Sequence, residues 1–238
     1  MIKNVIFDLD GTLLDTSEGI VESVKYAAAV LGYAELPQNE LLEFVGPPVQ
    51  KSFMNHYGCG LEEAQRAADV FRNYYKEKAL LKAVPYDGIF ELCDLLKKNG
   101  TQMAVATYKR EDYALKLLRH YGFDKYCVSM HGADNNNVLK KEDIVKQCCL
   151  DIGASKSNSV LVGDTVNDAV GAENASIRFI AVTYGFGFKS KEDANRYPNI
   201  GIANTPLEVA EILFNERERS EDSSNNRCNR SDWQGFNK

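Results

Sequence analysis

Two carboxylates, Asp8 and Asp10, stand directly after the apolar run Val5-Ile6-Phe7, and Gly11-Thr12 follow them as a turn. Residues two apart point the same way on an extended chain, and here the chain is leaving its strand, so both acids can face one pocket. Open α/β sheets bind ligands at the carboxyl ends of parallel strands, where such a pair can share a magnesium ion and divide nucleophile and acid-base roles. A second acidic pair closes the run Val160-Leu161-Val162-Gly163-Asp164-Thr165-Val166-Asn167-Asp168. If the chain turns at once into a helix, Asp168 comes one turn after Asp164 and lies near it. Like charges held together cost free energy unless a cation offsets them, so this pair implies a metal beside the first two acids. Taken singly, each motif has a blander reading, as a solvated acidic turn or as a helix cap with a first-turn acid. Their order along one chain favours the metal.

The elements that must position these acids can be read from apolar patterning. Four short, continuous, mostly β-branched runs, Val5 to Phe7, Met103 to Ala106, Val160 to Val162 and Ile180 to Val182, are separated by segments of helical period. That alternation predicts an α/β fold, a Rossmann-like parallel sheet covered on both faces. Helices follow from Ile89-Leu92-Leu95-Leu96, Leu115-Leu117-Leu118 and Ile144-Val145-Cys148-Cys149, with Gly100 and Gly153 expected to end two of them. Residues 16–82 break the alternation with several helical patterns in a row, including Ser17 to Leu31, capped by Thr16 or Ser17, and Leu61 to Leu81. The expected organisation is a core of residues 1–15 and 83–215, an inserted helical module over 16–82 placed to act as a movable lid, and a disordered polar tail over 216–238.

The string Asp-Leu-Asp-Gly-Thr-Leu-x-Asp after an apolar strand resembles the first motif of the haloacid dehalogenase-like superfamily, and the likeness extends over nearly the whole ordered chain. Among its members the sequence is most similar to the phosphoglycolate phosphatase-like and 5′-nucleotidase-like proteins, which carry a helical cap just after this motif. The resemblance implies that Asp8 is a nucleophile forming an aspartyl-phosphate and that Asp10 protonates the leaving oxygen and then activates water. It places Thr107, at the end of the next strand, on the transferring phosphoryl group. Beside it Tyr108 replaces the small polar residue usual in relatives, which changes the shape of this phosphate-binding rim. A cation is needed at the phosphoryl oxygens. Lys140 and Lys141 are the candidates, and the spacing to Asp143 and Ile144 selects Lys141. The implied metal set is Asp164 and Asp8 as direct ligands, Asp10 through its carbonyl and Asp168 in support, with Mg2+ as the ion because it prefers oxygen ligands. The loop Phe44-Val45-Gly46-Pro47-Pro48-Val49 resembles the cap loop that faces the active site, with Gln50 and Lys51 available for polar contacts. Tyr74 and Tyr75 read as packing residues, on one of which a nucleobase could stack.

The expected reaction is hydrolysis of a small phosphate monoester, with phosphoglycolate or a nucleoside monophosphate as the leading substrates. A phosphomutase of the β-phosphoglucomutase type is the alternative within enzymes, although Gly46-Pro47-Pro48 lacks the charge a sugar phosphate would require. A phospho-accepting receiver domain is disfavoured by motif order and by the 238-residue length. Net charge is -6, and no stripe of Lys and Arg is present, which argues against nucleic acid. No window approaches the apolar length of a membrane helix, and the first residues lack the pattern of a signal peptide, so the expectation is a cytoplasmic protein without membrane attachment. The six cysteines are scattered, and His56, His120 and His131 lack mutual ligand spacing, so reduced thiols and ordinary histidine roles are expected. The pattern specifies no oligomeric state.

Overall fold

A computed structural model describes residues 2–134 and 138–216. Its first strand, β1 (Asn4–Phe7), is followed by a short strand β2 (Leu14–Asp15) and then by the helices α1 (Ser17–Leu31), α2 (Gln38–Leu42), α3 (Val49–Tyr57) and α4 (Leu61–Tyr74), the last continuing as a π-helical turn, Tyr75–Ala79. The chain returns through β3 (Val84–Pro85) and then alternates: α5 (Ile89–Lys98), β4 (Gln102–Arg110), α6 (Glu111–His120), β5 (Cys127–Ala133), α7 (Lys141–Asp151), β6 (Ser159–Gly163), α8 (Val166–Ala175) and β7 (Arg178–Val182). A short helix α9 (Lys191–Ala194), the strand β8 (Ile202–Ala203) and a helical run over 206–216 complete the described chain. The expected tail lies outside the described residues from position 217 onward. At position 216, still within the helical run, Glu216 pairs with Arg178 at 3.7 Å.

Six strands form one parallel sheet in the order β5-β4-β1-β6-β7-β8. Alternate residues of its inner strands point into separate cores, as a sheet covered on both faces requires. Val5, Phe7, Val105, Val160 and Val162 join α5, α6 and the insert's Val24, Phe53 and Phe71 on one side. Ile6, Ala104, Ala106 and Leu161 join Ile144 and Val145 of α7 and Ala169 and Ala172 of α8 on the other. Phe7 pairs with both Val105 and Val162, so β1 is central and the chain crosses over in opposite directions on its two sides. The crevice formed at such a switch point lies at the carboxyl ends of the strands, where β1 delivers Asp8 and β6 delivers Asp164.

The strand carrying Thr107 is longer than the apolar run suggests. It continues from Ala106 to Arg110 because β5 follows alongside, with a register shift that ends in the pairing Arg110↔Ala133. At the margin of the insert, β2 and β3 pair antiparallel through Leu14↔Pro85 and Asp15↔Val84, tying together the two chain segments that lead into and out of the helices. Among the described residues no helix is long and apolar enough to cross a membrane, and the five described cysteines are free, with Cys93 and Cys127 buried.

Candidate active site

Asp8, Asp10, Thr107, Lys141, Asp164 and Asp168, six residues from four segments of sequence, are all at least nine-tenths buried in one crevice. Each is there for a local reason. Gly11 has φ +82°, and a Cβ at that position would stand 2.3 Å from an Asp164 carboxylate oxygen, so the sharp exit from β1 and the close approach of β6 both require glycine. The helix α8 starts immediately after β6, capped by Thr165, whose N–H and hydroxyl donate to Asp168 Oδ2 at 3.0 and 2.6 Å while the Asp168 N–H donates back to the hydroxyl. That reciprocal cap turns the other oxygen of Asp168 inward.

Lys141 is the cation at the centre. Its side chain is only 2% exposed, and its ammonium lies 2.5 Å from Asp8 Oδ1 and 2.7 Å from Asp168 Oδ1. Lys140, its neighbour, is exposed and caps α7. A Cβ on Gly171 would meet the Lys141 side chain at 2.5 Å, so α8 carries glycine where the lysine passes. Burial opposes the charge on Lys141, but Asp168 and Asp8 overcome it and hold the ammonium protonated. Tyr108 enters the site from behind this lysine: its hydroxyl accepts the Lys141 backbone N–H at 2.9 Å, and the ammonium stands 5.9 Å from its ring centroid. The side chain at position 108 thus holds the start of α7 in place.

Asp10 turns away from this cluster. Its carboxylate accepts from Lys109 Nζ at 2.9 and 3.1 Å and from Thr16 Oγ1 at 2.5 Å. Neither partner was assigned to the site from sequence; Thr16 was expected only as a helix cap. The Lys109 side chain is only 7% exposed, and opposite charge on Asp10 keeps it protonated against the cost of burial. The signal for it was available: on a strand, Lys109 shares a face with Thr107, two residues back. Thr16 stands at the cap position of α1 but makes no cap bond; its hydroxyl is given to Asp10, and Asp15 instead accepts from the Ser17 N–H and hydroxyl at 2.9 and 2.6 Å.

Asp8, Asp164 and Asp168 present carboxylate oxygens within 4.8 Å of one another, the one grouping of this kind among the described residues. One oxygen of Asp164 accepts the N–H groups of Phe186 and Gly187 at 2.8 and 3.0 Å, while the other has only a 3.5 Å contact with the Thr12 hydroxyl. Burial, then the charges of Asp168 and Asp8, push Asp164 well above the usual carboxylate range. Asp8 is pushed the same way by burial, with Lys141 opposing. One lysine therefore does not neutralise the set, and oxygen-only donors with excess negative charge fit a hard divalent cation such as Mg2+. Both Asp168 oxygens are already engaged by Thr165 and Lys141, which makes its fit a supporting one. The side chain of Asp10 is likewise engaged, so its share would fall to the backbone carbonyl.

Three cavities meet here. A pinched space of about 10 Å³ is walled by Asp8, Asp10, Thr107, Lys141 and, from the insert, Gly46. A chamber of about 100 Å³ runs from Asp10 and Lys109 to Tyr75, Arg72 and Gln50. A wide cleft of about 970 Å³ opens on the other side, past Tyr108, Lys140 and Asn167, under Pro47, Pro48 and Lys51. The loop expected to face the site does so, with Gly46 at φ +102°. Tyr74 and Tyr75 have different fates: Tyr74 stacks on Tyr26 and donates to Glu22, whereas Tyr75 is buried beside Asp10.

A doubly wound sheet that ends in buried acids, a buried lysine and a threonine has the equipment of a phosphoryl-transfer hydrolase. Comparison with known proteins agrees. The model of the family described as haloacid dehalogenase-like hydrolase matches residues 5–182. A 5′-nucleotidase of Pseudomonas aeruginosa is 33% identical over 81% of this chain and 88% of its own length. A phosphoglycolate phosphatase of Agrobacterium fabrum is 30% identical over 76% of this chain and 80% of its own. The crystal structure of a predicted phosphatase from Clostridium acetobutylicum superposes with a TM-score of 0.83 at 33% identity, over 90% of this chain and 99% of that one. The chain belongs to the haloacid dehalogenase-like hydrolases, and it is a phosphatase of that family.

Proposed function

We propose that the protein hydrolyses a small phosphate monoester in two steps, with Asp8 as the nucleophile and Asp10 as the acid and then the base. The observation that carries this is the separate charge partnering of the two acids. Asp8 lies against Lys141 with its second oxygen free of any hydrogen bond among the described residues, whereas Asp10 is held by Lys109 and Thr16 at the mouth of the chamber. In the first step an Asp8 oxygen attacks phosphorus and the bond from phosphorus to the leaving-group oxygen breaks; the leaving-group oxygen takes a proton from Asp10, which must enter this step protonated. In the second, Asp10 removes a proton from water as the water attacks the same phosphorus, and the Asp8 carboxylate is released. Lys141 and Thr107 sit where the phosphoryl oxygens carry charge throughout. Asp8 and Asp164, with the Asp10 carbonyl, would hold Mg2+, which when bound supplies positive charge to the phosphoryl oxygens and suppresses the repulsion among the acids.

Residues 16–82 act in this reading as a cap that opens and closes. A space of about 10 Å³ between Gly46 and the acids is too small for a phosphoryl group, so the Gly46 loop withdraws to admit substrate and returns to exclude water. Names among relatives include a 5′-nucleotidase, a pyrophosphatase and a phosphoglycolate phosphatase, which supports keeping phosphoglycolate and nucleoside monophosphates as the leading substrates with pyrophosphate beside them. The test is release of inorganic phosphate from a panel of monoesters, with magnesium and with chelator. The expected result is turnover that needs magnesium and no isomerisation of hexose phosphates. Isomerisation without phosphate release would instead identify a mutase.

A further inference from the structure

The two cavities beside the acids make opposite demands on a leaving group, and Asp10 decides between them. The group that Asp10 protonates must lie within its reach. Asp10 lines the chamber of about 100 Å³ and does not line the cleft of about 970 Å³. Sites for drug-sized ligands run from about 300 to 1,000 Å³, so the chamber suits a group of only a few heavy atoms.

Its walls also specify charge. Arg72 and Tyr75 are three residues apart on one continuous helical stretch and share a face. Tyr75 is 2% exposed, and its hydroxyl is one of four buried side-chain polar atoms among the described residues without a hydrogen-bond partner; Gln50 Oε1, in the same chamber, is another. Lys109 stands beside Tyr75, its ammonium 5.0 Å from the ring centroid, so the phenol and a cation border the same small space. Burial, the largest influence on Tyr75, raises its pKa against the opposing charge of Lys109 beside it and keeps the hydroxyl protonated. Arg110 is committed to Asp112 through two bonds, at 2.6 and 2.5 Å, whereas Arg72 has only a 3.4 Å contact with Asp69. The lining carries three cations, Arg72, Lys109 and Arg110, against the two carboxylates Asp10 and Asp134.

We propose that this chamber seats the leaving group and selects a compact one bearing its own negative charge, a carboxylate or a second phosphate, held by the Arg72 guanidinium and the Tyr75 hydroxyl. The proposal rests on the phosphatase reading and narrows it, placing nucleoside monophosphates outside the preferred class. The test measures kcat/KM of the magnesium-loaded full chain for 2-phosphoglycolate, pyrophosphate, the uncharged analogue 2-hydroxyethyl phosphate and a nucleoside 5′-monophosphate. The first or second of these should exceed the uncharged analogue by roughly ten- to hundredfold, the scale of a hydrogen bond to a charged group, and which of them leads distinguishes carboxylate from phosphate. Arg72→Gln should collapse that ratio to within a few-fold, and Tyr75→Phe should reduce it in part, while both variants keep the parent melting temperature to within a few degrees. Preference for the nucleotide, or an Arg72→Gln variant that retains the parent ratio, overturns the subsite and leaves the phosphatase reading standing. No turnover of any monoester with magnesium overturns the phosphatase reading and the subsite together.

Discussion

The floor of the crevice and its roof are built on different principles. On the floor, Asp8, Asp164, Asp168 and Lys141 come from strand ends and helix starts of the sheet, and each is fixed by backbone geometry that leaves little freedom: the Gly11 turn, the Thr165 cap, the paired N–H groups of Phe186 and Gly187. On the roof, Gly46, Gln50, Arg72 and Tyr75 come from helices and a loop of the insert, and two of their polar atoms are unsatisfied. A rigid, over-determined floor suits a phosphoryl group that is the same in every substrate. A roof of long polar and aromatic side chains on helices suits a leaving group that differs between substrates. Asp10 joins the two, rising from the floor and held by Lys109 on the sheet and Thr16 at the start of the insert.

The largest expected effect that separates them comes from the floor. Lys141→Met leaves Asp8 and Asp168 buried with their only shared cation gone; broken buried pairs cost about 3–5 kcal/mol in stability, and loss of one transition-state charge costs on the order of 10²–10³ in kcat. Because this lysine touches only the phosphoryl side, the loss in kcat should be the same for alkyl and aryl phosphates, and a loss confined to one class would break the comparison. Lys109→Met comes next. It removes the partner of Asp10, and general acid catalysis is worth about 10²–10⁴, of which misplacement forfeits part. Here the penalty should depend on the leaving group, being severe for alkyl esters and mild for p-nitrophenyl phosphate, whose leaving group needs no proton. Equal penalties for both would show that Lys109 does not act through Asp10.

A smaller effect distinguishes the metal-free floor from its loaded form. Asp8 and Asp164 have folded pKa values raised to about 7 and about 8, above the ordinary 3.8. An acid whose folded pKa is raised binds more protons in the native than in the unfolded state between the two values, so stability falls as pH rises through that window. The melting temperature of chelated protein should therefore decline from pH 5 to pH 8. Magnesium should restore it most at the upper end. A melting temperature that rises with pH in chelator would contradict this picture of the acids.

Legibility in the sequence followed the same division. Continuous apolar runs and the acids behind them were readable because a parallel sheet buries both faces and a metal site needs several carboxylates at strand ends. The span Ser17–Leu31 was predicted as a helix and is one, with both limits as expected. Lys109 was passed over because β4 outlasts its apolar run: pairing with β5 is a tertiary fact, and it turned an ordinary surface-looking Lys-Arg pair into a buried cation beside a second one stacked on Tyr113. Thr16 was read as a helix cap, its commonest use, because nothing local reveals that Asp10 competes for its hydroxyl. Tyr75 was given to packing, correctly as to burial, yet only the folded insert shows that it lines the chamber beside Lys109.

The central claim is that Asp8 carries the phosphoryl group between the two steps. Acid quench of the magnesium-loaded Asp10→Asn variant during turnover of p-nitrophenyl phosphate, followed by peptide mass mapping, tests it most directly, because that leaving group needs no proton in the first step while the slowed second step lets the adduct persist. The result expected is a phosphoryl adduct confined to the peptide containing Asp8, absent from the Asp8→Asn variant, whose turnover should fall by on the order of 10⁴-fold or more, as loss of a nucleophile does elsewhere. Undiminished phosphate release by Asp8→Asn, or an adduct on another residue, would contradict it.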